Sequence, residues 1–511
     1  MQGVPHALGA DVRKAARNET PPEMRRDAGR DWRMSIKPVP ADRFETGVSV
    51  LVIGAGAAGL CAALSAHEAG ADVVVLERDS VPRGSTALSA GLIPAAGTRF
   101  QRGQGIADSP ETFAADIQRK ARGEADQAVV DLVARESGPT VEWLADRYGF
   151  SFSVVCDFDY PGHSVRRMHG LPTRSGAELV DLLRQRAEDA GVAVVTDAIV
   201  DTLFADSDRH IQGIQATRPD GATERIGCGA LVLACNGYGG NPELVAKHIP
   251  EMRGALYFGH TGNRGDAVLW GEALGARLHA MSGYQGHGSI AQPHGILITW
   301  AVMMEGGFQV NTQGRRFSNE SQGYSEQAAK VIAQPGGIAY DIFDERIAAI
   351  ARQFEDYRKA EAAGAIIEAE SSVELARRLK LPEDAFANSF AEVEDLKRHG
   401  VDTFGRRFAG VAPLAPPLKA ARVTGGLFHT QGGLAINTSA QALSRDGQPF
   451  PNLFAVGGAA AGVSGSQSSG YLSGNGLLTA TVLGRIAGQI AGGGRRATHG
   501  STLLGSGSGG G

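Results

Sequence analysis

No part of the chain restricts its fold as much as Val48 to Ser80, VSVLVIGAGAAGLCAALSAHEAGADVVVLERDS, which reads as one β-α-β unit with a phosphate-binding turn at its centre. Val48 to Ile53 is a buried-strand run, Leu60 to Ala69 fits a helix and Asp72 to Leu76 a second strand. Between them Gly54, Gly56 and Gly59, with Ala57 and Ala58, form a G-x-G-x-x-G turn. Gly54 permits the tight turn, Gly56 lets a pyrophosphate approach the backbone, and Gly59 lets the helix pack closely on the strand. The free N–H groups of the helix N-terminus face the phosphates. Glu77, followed by Arg78, closes the unit roughly twenty residues after the first glycine, where a carboxylate accepts hydrogen bonds from a ribose 2′-OH. Strand, glycines, helix, strand and acid in register predict dinucleotide binding.

Thr46 to Ala66 is a run of 21 residues without a charge, long enough for a membrane span. It holds four glycines and is followed at once by His67, Glu68 and Asp72, so we read buried strand and helix and predict no membrane span. At 511 residues the chain has room for two domains or more. A net charge of −5, with no Lys/Arg cluster interleaved with aromatics, predicts no nucleic-acid partner. Cys61, Cys156, Cys228 and Cys235 show no C-x-x-C spacing, so no metal site, haem attachment or disulfide framework is expected, and the compartment should be reducing. Residues 1–45 lack hydrophobic periodicity and are expected to be mostly disordered, with Met1 or Met34 as the start. No apolar segment follows Arg25-Arg26, so a cytoplasmic location is expected. The tail, residues 499–511, ends in Gly and Ser only and reads as a flexible end.

After the opening unit, Arg83-Gly-Ser-Thr-Ala-Leu-Ser-Ala-Gly91 is a small-residue loop able to lie flat against a planar ligand. Helical patterns follow at Pro110 to Ala121, Asp126 to Glu136, Thr140 to Tyr148 and Ala177 to Ala190, then a strand at Val192 to Thr196. Ile199 to Phe204, Ile211 to Thr217 and Thr223 to Ile226 read as a small antiparallel sheet. A separate buried strand, Ala230 to Ala234, leads into the turn Cys235-Asn-Gly-Tyr-Gly-Gly240.

This order resembles the two-dinucleotide-binding-domain flavoproteins. Further stretches narrow the likeness: Thr261-Gly-Asn-Arg-Gly-Asp266, Gly314-Arg-Arg-Phe-Ser-Asn-Glu320, Gly425-Gly-Leu-Phe-His-Thr-Gln-Gly-Gly433, Asn452-Leu-Phe-Ala-Val-Gly-Gly458 and Gly470-Tyr-Leu-Ser-Gly-Asn-Gly-Leu477. Together they resemble the fumarate reductase and 3-oxosteroid dehydrogenase family over nearly all of Val48 to Gly492. The resemblance implies an α/β (α+β) protein with a Rossmann-like FAD-binding domain at 46–283 and 431–498, and an inserted α+β capping domain at 284–430. Ser371 as a helix cap and a second helix from Pro382 to Lys397 fit a small helical cap better than a sheet. Glycines near Gly283 to Gly288 and Gly425 to Gly433 read as joints that let it close.

The likeness implies FAD held by Gly54, Gly56, Ala57, Ala58 and Gly59, by Glu77 and Arg78, and by the flat loop through Gly84, Ser85, Thr86, Ser89, Ala90 and Gly91. It adds Ala198, Ala234, Asn236, Gly237 and Asp266, and, near the flavin, Gly458, Gly474, Asn475 and Leu477. Gly458 stands where such proteins often carry Glu. A long helix, Leu477 to Ala491, would point its N-terminus at the pyrimidine edge of the flavin. No histidine near Arg83 to Gly91 offers a covalent attachment, so FAD should be dissociable.

Fumarate reductases resemble this chain in two histidines, matched by His429 and, less closely, by His287. Their arginines fall instead on Tyr324 and near Tyr471, and the Glu and Arg of their proton relay on Trp300 and Met303. Tyrosine cannot supply the bidentate forks that a dicarboxylate needs. Tyr471-Leu-Ser-Gly474 is similar to the Y-x-S-G of 3-oxo-5α-steroid 4-dehydrogenases, which brings in Ser473. By this likeness Tyr471 donates to a ketone oxygen, and Tyr324, relayed through Tyr340, removes the α proton once its pKa is brought well below about 10. The expected activity is FAD-dependent desaturation of a neutral cyclic ketone, a 3-oxosteroid or a smaller ring, with an unspecified electron acceptor. The alternative is an ene-reductase of the fumarate or urocanate kind. Nothing in the sequence favours a third class, a non-enzymatic docking flavoprotein.

Overall fold

A computed structural model describes residues 34–40, 44–156, 159–400, 402–408 and 410–493. The expectations for a disordered start before Met34 and for the flexible tail lie outside the described residues. The opening unit forms as its pattern predicts, with strand Thr46–Ile53, helix Ala57–Glu68 and strand Val73–Leu76. These belong to a nine-stranded sheet whose central members are parallel, Val50 facing Val73 and Leu51 facing Leu231. The run read as two strands is one, Thr223–Leu233. Its first half pairs antiparallel with Ile211–Thr217 and its second half parallel with Pro449–Ala455, so one strand joins the meander to the parallel core. Ser35–Lys37 is also a strand, paired parallel to Ile199–Ala205, so expected disorder up to residue 45 is corrected there. The sheet edge satisfies its free backbone groups with this segment.

The sheet is covered by helices packed at short range. Gly484, Gly488 and Gly492, four residues apart on helix Asn475–Gly493, face Ala58, Ala62 and Ala66 of the first helix. A Cβ on these glycines would stand 2.4, 2.1 and 2.7 Å from the three alanine carbonyl oxygens, so the two backbones nearly touch. The two helices expected around Pro139 are one, Gln127–Tyr148. Pro139 removes one backbone donor. The helix is held across that point because Gly138 lies against the Ala96 carbonyl and the Ser137 hydroxyl accepts the Ala96 N–H at 3.0 Å.

The second half of the chain has the mixed α+β character that the resemblance implies, and corrects only the local reading of a small helical cap in place of a sheet. Helices Ser372–Leu379, capped by the Ser371 hydroxyl, and Glu383–His399 are present. They accompany a seven-stranded sheet built on the 13-residue strand Leu418–Thr430, which pairs with Tyr284–Ala291 on one side and Ala339–Asp344 on the other. The glycine segments read as free joints are therefore paired strands, with His287 opposite Gly426 and Gln285 opposite His429. Their glycines make a floor: a Cβ on Gly286, Gly288 or Gly425 would stand 2.6, 2.8 or 2.3 Å from atoms of Ala328 or Gln327. Helix Tyr324–Ile332 lies on that floor, and Tyr324 is its first residue.

Candidate active site

A cavity of about 1140 Å³ opens at the carboxyl ends of the parallel strands, bounded by Ile53, Leu76 and Ala234. At this end the backbone does most of the shaping. Gly54, at φ +105°, lies so close to Ala234 that a Cβ would be 2.5 Å from its carbonyl oxygen. Gly56, Ala57 and Ala58 line the cavity, whereas Gly59 supports the turn from behind, its Cβ position 1.9 Å from the Gly54 oxygen. Glu77 is buried, its two carboxylate oxygens accepting the Ala55 N–H at 2.8 Å and the Asp79 N–H at 3.0 Å. Each oxygen keeps acceptor capacity for a ribose hydroxyl.

The small-residue loop lines the next stretch with Gly84, Ser85, Thr86, Ser89 and Ala90. Thr86 Oγ1 accepts the Ala57 N–H at 3.0 Å, tying the loop to the start of the first helix. Gly91 is a turn residue at φ +65° against Ser175 and does not line the cavity. Arg78 donates to the Gly262 carbonyl and stands 3.8 Å from Asp266. Arg78, Ala198 and Asp266 all line the wall. So do Asn236, Gly458, Gly474 and Leu477, while Gly237 backs onto Thr430 and Asn475 is buried, donating to Ser464 Oγ at 3.2 Å. A Cβ on Gly458 would stand 2.1 Å from Asn236 Oδ1, so the amide of Asn236 fills the room that a larger side chain would need. The sequence reading missed the His260–Asp79 pair, 2.9 Å apart on the same wall; the Asp79 partner raises the imidazole pKa against the opposing effect of burial.

At the other end the wall is made of side chains from five separate segments. Tyr324 Oη is 3.0 Å from Ser473 Oγ. The Tyr324 ring stacks on His287 at 5.1 Å between centroids, and Trp300 meets the same imidazole edge-on at 5.4 Å. Tyr471 and His429 meet edge-on at 5.2 Å, and the backbone N–H groups of Gly474 and Gly476 act to lower the Tyr471 phenol pKa against the effect of burial. His287 Nδ1 accepts the Ser289 N–H at 3.1 Å, and His429 Nδ1 accepts from the Gln431 amide at 2.8 Å. Each ring therefore presents Nε2–H. Burial lowers the two pKa values to about 3 and about 4, so both are neutral donors at pH 7.

Two expectations change here. Burial pushes the Tyr324 phenol up to about 12, against the lowered value expected of a ready base, and raises Tyr471 as well. Tyr340 takes no part: its ring is packed in the apolar core around Leu418–Thr430, its hydroxyl is 3.5 Å from the Leu379 carbonyl, and it does not line the cavity. The hydroxyl beside Tyr324 is that of Ser473. The G-R-R-F-S-N-E stretch acts at a distance. Arg316 and Arg406 both bind buried Glu320, at 2.9 and 3.0 Å, which fixes the loop entering the Tyr324 helix.

Among the described residues neither Tyr324 nor Tyr471 contacts a guanidinium or ammonium group, and Arg174 lines the cavity from an exposed position. Arg358 and Lys359 of helix Glu355–Ala362 line the cavity from exposed positions, as do the apolar Leu88 and Met304. Among the described residues no helix is long and apolar enough to cross a membrane, and no His/Cys/Asp/Glu group suits a metal.

Comparison with known proteins agrees with this layout. Residues 49–477 match the model of the FAD binding domain family. A probable fumarate reductase of Shewanella frigidimarina is 31% identical over 470 residues, spanning 91% of this chain and 78% of the relative. The open conformation of a flavocytochrome c3 fumarate reductase superimposes with a TM-score of 0.76 at 29% identity, over 88% of this chain and 79% of that one. A 3-ketosteroid-Δ4-(5α)-dehydrogenase from Rhodococcus jostii, in complex with 4-androstene-3,17-dione, gives a TM-score of 0.72 at 25% identity, over 89% and 99%.

Proposed function

The chain belongs to the FAD-binding fumarate reductase family of oxidoreductases, and from that premise we propose that it exchanges hydrogen across the α,β carbons of a neutral cyclic ketone. The observation that carries this reading is the Tyr324–Ser473 hydroxyl pair beside Tyr471, with neither tyrosine in contact with a cation among the described residues. FAD is the cofactor of this family, and the glycine cradle, the Glu77 carboxylate and the helix N-terminus at Asn475 are chemically suited to it. Bound FAD supplies the acceptor for the β hydride. Dissociable binding is supported by the absence of any histidine or cysteine from Arg83 to Gly91.

The chain's own residues handle the carbonyl and the proton. Tyr471 directs its own proton at the ketone oxygen, stabilising charge that develops there. Such an arrangement suits a neutral substrate, because a carboxylate buried among two neutral imidazoles and two neutral phenols would lack a counter-charge. The α carbon lies within the reach of Ser473 and Tyr324, which hold or deliver its proton. Desaturation requires an ionised Tyr324, so with a phenol pKa of about 12 its rate should climb with pH across the alkaline range.

A second reading is supported by the same neutral phenol. Tyr324 with its proton in place is a donor at pH 7, which suits reduction of an activated alkene, and relatives named as fumarate reductases fit that direction. Anaerobic mixing separates the two. Bleaching of the oxidised protein by 3-oxosteroids or cyclohexanones supports desaturation. Reoxidation of the dithionite-reduced protein by the corresponding enones, without bleaching by the saturated ketones, supports reduction. Turnover of fumarate or urocanate alone would overturn the ketone reading.

A further inference from the structure

Behind the wall that carries Tyr471 and Ser473 runs a buried chain of polar groups that the chemistry above does not use. Arg167 is buried, with Nε and Nη2 each 3.0 Å from Asp108 oxygens and Nη1 2.6 Å from Asp116 Oδ2. Asp116 is also paired with Arg119 at 2.6 Å, so the cluster balances two cations against two carboxylates. Arg167 Nη1 lies 3.3 Å from Nδ1 of His163, and His163 Nε2 lies 2.9 Å from the carbonyl oxygen of Ser473. A guanidinium has donors only, so Nδ1 is the acceptor and the ring proton sits on Nε2, donated to Ser473. The imidazole is kept neutral by burial, with the Arg167 charge adding to the effect.

The bond to Ser473 reaches the reacting groups by the shortest possible route. The Ser473 carbonyl belongs to the same peptide unit as the Gly474 N–H, which acts on the Tyr471 phenol to lower its pKa. A hydrogen bond accepted at one end of a peptide strengthens the one donated at its other end. The same residue presents Oγ to Tyr324 at 3.0 Å. We propose that His163 is a positioning residue that orients and polarises the Ser473–Gly474 peptide, aiming the serine hydroxyl at Tyr324 and the glycine N–H at Tyr471. It does not line the cavity and lies more than three hundred positions away in sequence, half-buried at the end of an Asp–Arg–His chain whose charged side chains are buried. The roles given to Tyr324 and Tyr471 rest on the ketone reading; the geometry at His163 does not.

The test uses the holoenzyme labelled with 13C at tyrosine Cζ, the Tyr471 resonance being identified by its loss in Tyr471→Phe. His163→Leu removes the donor, and His163→Gln restores an N–H near the Nε2 position. We expect His163→Leu to move the Tyr471 resonance and to slow flavin reduction by a ring ketone about tenfold, the size of one neutral hydrogen bond, with KM little changed. His163→Gln should recover both. A Tyr471 resonance unmoved in His163→Leu, or a Gln variant that behaves like Leu, overturns the proposal. Should no ketone reduce the wild-type flavin, the ketone reading fails while the resonance still decides the positioning role. 15N spectra of wild-type histidines give a check that needs no variant: His163 protonated on Nε2 alone supports the chain, and a ring protonated on Nδ1 or on both nitrogens overturns it.

Discussion

The two ends of the cavity are built by different means. At the cofactor end the wall is largely backbone, held by close approaches such as Gly54 on Ala234 and Gly59 on Gly54, with Glu77, Arg78, Asp79 and Asp266 as charged groups. At the substrate end it is largely side chains, brought by strands Tyr284–Ala291 and Leu418–Thr430, the Tyr324 helix and the loop before Asn475. A site made of backbone is written in local spacing. One made of converging side chains depends on the whole fold, and it is the end at which relatives can differ in substrate.

The largest effect should come from the backbone end. Gly59→Val places a side chain 1.9 Å from the Gly54 oxygen, and we expect protein that is insoluble or colourless, read from flavin absorbance after purification. At the substrate end the protein should stay yellow. Tyr324→Phe is expected to cut flavin reduction by a ring ketone by about 10²- to 10⁴-fold in anaerobic stopped flow, the usual range for a lost acid or base. Next is pH: the deprotonated form of Tyr324 grows as pH rises toward about 12, so desaturation should gain up to about tenfold per pH unit above neutrality, while proton donation to an enone should stay flat until that region. Ser473→Ala, which leaves Tyr324 without its hydroxyl partner, should cost about tenfold in the same assay. The smallest effect is expected from Tyr340→Phe, whose hydroxyl is 3.5 Å from its nearest acceptor and outside the cavity: rates within about twofold of wild type. A large loss there would break the division between the two ends.

The same division decides what the sequence discloses. The G-x-G-x-x-G turn and Glu77 are legible because each glycine is required by its immediate neighbours in the chain. Gly425 and Gly286 are glycine for a tertiary reason, the helix lying on them, so on local grounds they look like joints and not strands. Pro139 looks like a helix end, yet contacts of Gly138 and Ser137 with Ala96 carry the helix past it. Tyr340 and Tyr324 are indistinguishable as residue types, and only the direction of a strand against that of a helix separates core from cavity. Tyr324, Tyr471 and Ser473 are legible by likeness of motif, whereas the raised phenol of Tyr324 is not, because it depends on burial against His287 and the strands under its helix. His163 has no motif at all. Its link to Ser473 exists only in three dimensions.

The most direct test of the account is a crystal structure of the oxidised holoenzyme with a bound enone, the product of ring-ketone desaturation. The account predicts the carbonyl oxygen within hydrogen-bonding distance of Tyr471 Oη, with the α carbon facing the Tyr324–Ser473 pair. A ligand whose carbonyl instead lies against Arg358 and Lys359, with Tyr471 and Tyr324 contacting only its apolar body, would contradict it.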